Sequence, residues 1–221
     1  MGSVRNEYQS LKPVIGSPID LDAKCTFWIF CLCLFVFDFS FAQNNIYSTK
    51  TINKIQGDFV FFSKSDSLKI TGLSNLETQL YFLIFHAEKD SIGLDPGLST
   101  DGRWRAIHLM NILKPLNIKG FITTPFRRNI LTLQPLVDLK KEKIKYYDQA
   151  DLESLYKNLD NFFPDPIVMV IHPETLPKIY EYYMKNKFSE MLNGDLSNRF
   201  FILERTKKGA AKFHSLKYNI R

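Results

Sequence analysis

Leu80-Tyr81-Phe82-Leu83-Ile84-Phe85-His86-Ala87-Glu88-Lys89 is the stretch on which the reading of this chain turns. Its apolar run, Leu80 to Phe85, shows no alternation and predicts a strand buried on both faces. The run stops abruptly on a histidine and charged residues. A histidine there stands at the carboxyl edge of a sheet, where open α/β folds build their sites. Downstream the pattern recurs: Pro166-Ile167-Val168-Met169-Val170-Ile171 is again wholly apolar, and it too ends on a histidine, His172.

Between and around these runs, strand and helix alternate. Ser99-Thr100-Asp101-Gly102 opens a helix that continues through Arg103 to Leu113, with Ala106, Ile107, Met110 and Leu113 at helical spacing. Ile118 to Thr123 reads as a second strand. Arg128 to Asp138 reads as a helix kinked or ended near Pro135. Ile144 to Tyr147 is a third strand, and Asp151 to Phe162 a further helix. At the tail, Arg199 to Glu204 and Ala211 to Tyr218 read as strands of a hairpin that turns at Lys207-Lys208-Gly209. Upstream, Asn44 to Gly57 is polar and reads as a loose lead-in. Gly57 to Phe62 and Leu68 to Ile70, around a polar turn, form a hairpin added to the sheet edge. Strands spaced by helices imply βαβ units. The expected class is α/β, a three-layer sandwich with a mainly parallel sheet flanked by helices.

A chain of 221 residues suits one large domain. An apolar fraction of 45% and a charged fraction of 24% exclude wholesale disorder. The net charge of +6 is spread along the chain, in clusters such as Lys140-Lys141-Glu142-Lys143 that contain acids. That is a solvated face, and no nucleic-acid partner is expected. Residues 1–42 stand apart. Phe27 to Phe37 is an intensely apolar run, short of the ~20 residues that span a bilayer, and small residues follow at Ser40 and Ala42. It reads as a secretion signal cut after Ala42, with an uncleaved anchor as the alternative. The protein is therefore expected to be exported, periplasmic or extracellular, touching a membrane only through that segment if uncleaved. A hairpin-bearing extension then covers 43–79 and the main domain 80–221. Cys25, Cys31 and Cys33 all lie in or beside the apolar run, so the rest of the chain has neither disulfides nor a thiolate nucleophile.

Three places converge at the edge of a parallel sheet: His86, Arg127-Arg128 and His172. A guanidinium offers a planar fork to phosphoryl oxygens, one neutral imidazole can attack phosphorus, and a second can bind the transferred group. The expected partner is phosphate or a phosphorylated small molecule. No metal is expected, because the four histidines give no His-x-x-x-His pair and the convergent pair belongs with an arginine. No other cofactor is expected.

These segments resemble the motifs of the histidine phosphatase (phosphoglycerate-mutase-like) superfamily. His86-Ala87-Glu88-Lys89 is similar to its Arg-His-Ala-Glu-Lys, with Phe85 where the family has arginine. Ser99 to Ala106 is similar to Leu-Ser/Thr-x-x-Gly-x-x-Gln/Arg-Ala. Thr123 to Thr132 looks like Ser-x-x-x-Arg-x-x-x-Thr, which places Arg128 at the second phosphate-binding arginine and Thr132 at its threonine. His172-Pro173-Glu174-Thr175-Leu176-Pro177 resembles His-Ser-Asn-Thr-Val-Pro. The resemblance covers about Leu80 to Ile220 and implies a phosphoglycerate-mutase-like fold, with His86 as a phosphorylated nucleophile and Arg128 and His172 on the phosphoryl group. It makes Glu88 and Lys89 residues of the site rim and Glu88 a candidate general acid; Arg127, at the same strand end, is expected to contact substrate as well, and Arg127, Arg103 or Lys89 to stand in for the missing guanidinium. It also implies a weakened phosphatase, or a non-catalytic pseudophosphatase, because Phe85 removes one guanidinium and Ile171 and Pro173 also depart from the pattern.

Plainer readings stand beside these. His86 alone is also a strand-end histidine with a backbone partner, and Arg128 a surface residue at a helix start. Glu88 and Lys89 suit a solvated pair. Glu174 is the carboxylate nearest His172 but stands where the family has Asn. His108 and His214 suit packing.

Overall fold

The computed structural model describes residues 46–62, 66–190, 192 and 194–219, which fall in one compact unit, Asn44–Arg221. The segment read as a signal or anchor, and the cysteines with it, lie outside the described residues. No helix among the described residues is long and apolar enough to cross a membrane.

Among the described residues nine strands make one sheet: β1 (Ile46–Gln56), β2 (Phe59–Phe62), β3 (Ser67–Lys69), β4 (Thr78–Ile84), β5 (Gly120–Thr123), β6 (Ile144–Tyr146), β7 (Ile167–Val170), β8 (Arg199–Thr206) and β9 (Ala211–Lys217). They lie in the order β3-β2-β1-β9-β8-β4-β7-β5-β6. The helices are α1 (Thr100–Leu113), α2 (Arg127–Lys140), α3 (Leu152–Asp160) and α4 (Thr175–Met184).

The sheet is mixed rather than mainly parallel. β4–β7, β7–β5, β5–β6 and β1–β9 are parallel. β1–β2, β2–β3, β4–β8 and β8–β9 are antiparallel. Helices lie between β4, β5, β6 and β7 along the chain and make their parallel crossovers, whereas short turns join β1 to β2 and β8 to β9, and a short turn can only make antiparallel neighbours.

The lead-in read as loose is strand β1. Its buried residues, Ile52 and Ile55, are three apart and break the two-residue period of a strand. A register shift between Ile52 and Lys54 brings both inward, which is the effect of a bulge. Helix α2 also runs on through Pro135 instead of stopping there, with Leu133, Leu136 and Val137 buried on either side. The sequence reading has no counterpart to α4. Its Pro177 falls in the first turn, where the missing N–H costs no helical bond.

Two apolar layers enclose the sheet. Phe82, Ile84, Val168 and Val170 face Leu109 of α1 and Leu133 of α2. Leu83, Phe85, Met169 and Ile171 face Leu155 of α3 and Tyr180 of α4. Each such side chain contributes about 1.5–3 kcal/mol by leaving water. Strand alternation therefore sends Phe85 toward α4, and the next residue, His86, toward the side of α2.

Candidate active site at the carboxyl edge of the sheet

The two histidines leave neighbouring parallel strands at matching heights. Ile84 pairs with Val170, and the Ile171 amide donates to the Ile84 carbonyl at 2.9 Å. His86 and His172 each stand two residues beyond that paired position, on strands about 4.8 Å apart. β5 lies on the far side of β7 and leads through Thr124 to the start of α2 at Arg127. Arg128 is near enough for its positive charge to act on both imidazoles. His86, Arg128 and His172 thus meet at one edge.

His86 is half-buried, and its Nδ1 lies 2.8 Å from the carbonyl oxygen of Ala87. A carbonyl only accepts, so Nδ1 carries the proton and Nε2 keeps the lone pair. Burial holds the imidazole below its ordinary titration range. The charges of Arg128 and Lys89 act in the same direction, against the opposing pull of the Ala87 carbonyl and Glu88. The ring is therefore neutral at pH 7. Thr132 secures the loop behind it: its hydroxyl accepts from the Ala87 amide at 3.0 Å and donates to the Arg128 carbonyl at 2.8 Å. That bridge between the β4 exit and α2 gives a physical reason for a threonine four residues after the arginine.

His172 is buried, and Phe126 meets its ring edge-on at 5.4 Å. Its Nε2 lies 2.9 Å from the Thr124 hydroxyl and 3.4 Å from Nδ2 of Asn129. Burial lowers its pKa, and Arg128 and His86 add to that against the pull of Glu174. Sequence reasoning missed Asn129, whose only signal was a polar residue one position after the motif arginine.

Arg128 lies over the Phe126 ring at 4.7 Å. Its Nη1 is 3.6 Å from Asp95, and its Nε is buried without a partner. Asp95, in the loop before α1, also accepts the Arg127 amide with both oxygens, at 2.9 and 3.2 Å. Phe126 offers α2 no side-chain cap, so Asp95 caps the helix from a distance. Its carboxylate thus lies at the helix start and beside the guanidinium, where an incoming anion would compete with it. The Arg127 side chain goes elsewhere. It is exposed and lines a groove of about 790 Å³ between α1 and α2, together with Leu98, Arg103, Ile107 and Leu131.

Glu88 is committed to structure. Both its oxygens take Nε of Arg105 at 2.9 Å, Nη2 of Arg105 bonds it as well, and Arg105 also donates to the Tyr218 carbonyl. Burial would raise the Glu88 pKa, but the bonds from Arg105 outweigh it and hold it below the ordinary carboxylate range. An ionised, occupied carboxylate is poorly suited to general acid work. Gly102 belongs to the same joint, because a side chain there would overlap the Glu88 carbonyl. Ser99 caps α1 by accepting the Gly102 amide at 3.1 Å. Lys89 is exposed and bridges to Leu98 through its backbone. Glu174 is exposed and accepts from Gln149 at 2.6 Å. Phe85 is 2% exposed and meets Phe201 edge-on at 5.6 Å, on the α4 side of the sheet. Of the remaining histidines, His108 stacks on Tyr218 and His214 pairs with buried Glu204 at 2.9 Å. No group of three His, Cys, Asp or Glu side chains gathers as a metal would require among the described residues.

No protein-family model matches the chain, and no curated protein matches it in sequence. Solved structures do. The protein histidine phosphatase SixA complexed with tungstate superposes with a TM-score of 0.52, covering 63% of this chain and 97% of SixA at 14% identity. The fold is that of the histidine phosphatases. A mycobacterial glucosyl-3-phosphoglycerate phosphatase gives a TM-score of 0.51, covering 65% of this chain and all of its own length (100%), again at 14% identity. At such identity the likeness to these histidine phosphatases is one of architecture.

Proposed function

We propose that this protein is a histidine-phosphatase-like hydrolase of phosphomonoesters that works through a phosphohistidine at His86. The observation that carries this reading is the Nδ1 bond to the Ala87 carbonyl, which leaves Nε2 with its lone pair, within reach of the Arg128 charge. Nε2 attacks phosphorus, the Nε2–P bond forms, and the P–O ester bond breaks with departure of the alkoxide. Water then attacks phosphorus, the Nε2–P bond breaks, and phosphate leaves. Arg128 and His172 hold the phosphoryl oxygens, and Lys89 adds positive charge at the rim. With Glu88 tied to Arg105 and Glu174 tied to Gln149, leaving groups stable as anions, such as aryl oxides, suit the site best.

Phe85 weakens this machinery. A missing preorganised donor typically costs about 10²–10³ in rate, and Phe85 is turned into the core and offers none. A second reading, a non-catalytic pseudophosphatase that binds a phosphate-bearing or other anionic ligand, is favoured by Phe85 and by Asp95 lying against Arg128. For its location we propose export, on the apolar run Phe27 to Phe37 and the small residues after it.

Assay of an aryl phosphate separates the readings. Slow hydrolysis that disappears in His86→Ala is the expected result. Phosphate-dependent thermal stabilisation without turnover would support the pseudophosphatase instead, and neither effect would overturn both.

A further inference from the structure

Thr124 and Asn129 are sealed from solvent, at 3% and 0% exposure, and both reach the same nitrogen of His172. Asn129 Nδ2 donates to the Thr124 hydroxyl oxygen at 2.7 Å. That bond uses a lone pair of the hydroxyl and leaves its O–H free to donate along the 2.9 Å contact to Nε2. The other hydrogen of Nδ2 faces Nε2 from 3.4 Å. With two donors converging on it, Nε2 carries the lone pair, and the proton of the neutral ring sits on Nδ1. Nδ1 makes no hydrogen bond among the described residues. In this arrangement Oδ1 of Asn129 is buried without a partner. Turning the amide over would leave Nδ2 unpaired in place of Oδ1 and would reverse the run of donors, so the amide orientation and the ring tautomer are set together.

We propose that Thr124 and Asn129 are positioning residues that hold the His172 proton on Nδ1. The neutral ring then offers an N–H to a bound phosphoryl oxygen, while His86 offers a lone pair to phosphorus. The placement of the proton stands on these distances with the Asn129 amide turned Nδ2 toward Thr124, and its use rests on the function proposed above. Charged and titratable groups reach His172 from three sides: Arg128 at the start of α2, His86 beyond β4, and Glu174 before α4.

The test is long-range proton–nitrogen NMR of the ¹⁵N-labelled full chain at pH 8, with the His172 ring identified by its loss in His172→Asn. The expected result is the Nδ1–H tautomer, against the Nε2–H form that neutral imidazole side chains favour in water. Thr124→Val should move the ring toward Nε2–H and weaken inorganic phosphate binding by about threefold to tenfold, the worth of one neutral hydrogen bond. Thr124→Ser should leave both unchanged. An Nε2–H tautomer in the unaltered protein would overturn the proposal with no variant needed, as would a Thr124→Val protein whose ring does not change. If the Nδ1–H tautomer is found and phosphate does not bind, the clamp stands and the phosphatase reading falls.

Discussion

At the exit of β4, Phe85 drops into the α4-side core and His86 is held by the carbonyl of the next residue. At the exit of β7, Ile171 drops into the same core, but His172 is held by side chains 48 and 43 residues away. The two exits share their strand register and differ in what fixes the imidazole. A local anchor gives His86 its tautomer whatever the rest of the chain does. A remote anchor makes His172 depend on β5, α2 and β7 being correctly stacked. The proposed nucleophile is thus the more robust of the two rings, and the proposed hydrogen-bond donor to the phosphoryl group the more easily lost.

The largest expected effect comes from putting the family's arginine at the β4 exit. Phe85→Arg forces a guanidinium into an apolar site sealed by Phe201, and an unpaired buried charge costs about 3–5 kcal/mol. At about 2–4 °C per kcal/mol for a chain of this length, the melting temperature should fall by roughly 6–20 °C in a calorimetric scan. A variant that melts like the parent and hydrolyses faster would mean that the side chain leaves the core for the site, and that the packing described for Phe85 is not decisive. Thr132→Val sharpens the contrast on the other side. It strips the buried Ala87 amide of its acceptor, at about 1–3 kcal/mol in urea denaturation, and should perturb the His86 ring signals without changing the His172 tautomer.

Acidity should act on both exits together. Each imidazole titrates below the ordinary 6.5 in the folded chain and near 6.5 in the unfolded one. The unfolded state therefore takes up protons first. Their stabilising contribution is complete above about pH 6.5 and is lost as pH falls from there through the lowered native values. Denaturation midpoints between pH 8 and 5 should decline less in His86→Gln and in His172→Gln than in the parent. Hydrolysis should stay level until pH drops below the lowered value of His86. The smallest effect is expected at Asp95, which is exposed and 3.6 Å from Arg128. Asp95→Asn keeps a cap for α2 and removes the competing charge. Phosphate affinity should then rise by about twofold to fivefold, the scale of an exposed ion pair. A fall in affinity would mean that Asp95 holds Arg128 in place for the ligand.

What the sequence made legible follows the same division. Continuous apolar runs ending on His86 and His172 marked both strand ends, and the Thr124-x-x-x-Arg128-x-x-x-Thr132 spacing marked the start of α2. The hairpins of β2 with β3 and of β8 with β9 were legible as apolar runs around polar turns, but the antiparallel pairing of β8 with β4 was hidden, because the run Phe200 to Leu203 looks like that of a central parallel strand. The bulge in β1 hid that strand by breaking its period. A strand buried on both faces shows no alternation, so the side chosen by Phe85 could not be read from its neighbours. Thr124 and Asn129 reach His172 only through the fold, and Asp95 reaches the start of α2 only across a loop. Nothing in the one-dimensional pattern announces either contact.

A crystal structure of the protein soaked with tungstate tests the existence of a single anion site most directly. The metalate is expected within bonding reach of His86 Nε2, with Arg128 and Nδ1 of His172 on its oxygens and Asp95 displaced from the guanidinium. Tungstate seated in the Arg103–Arg127 groove, with His86 and His172 bare and Asp95 still against Arg128, would contradict it.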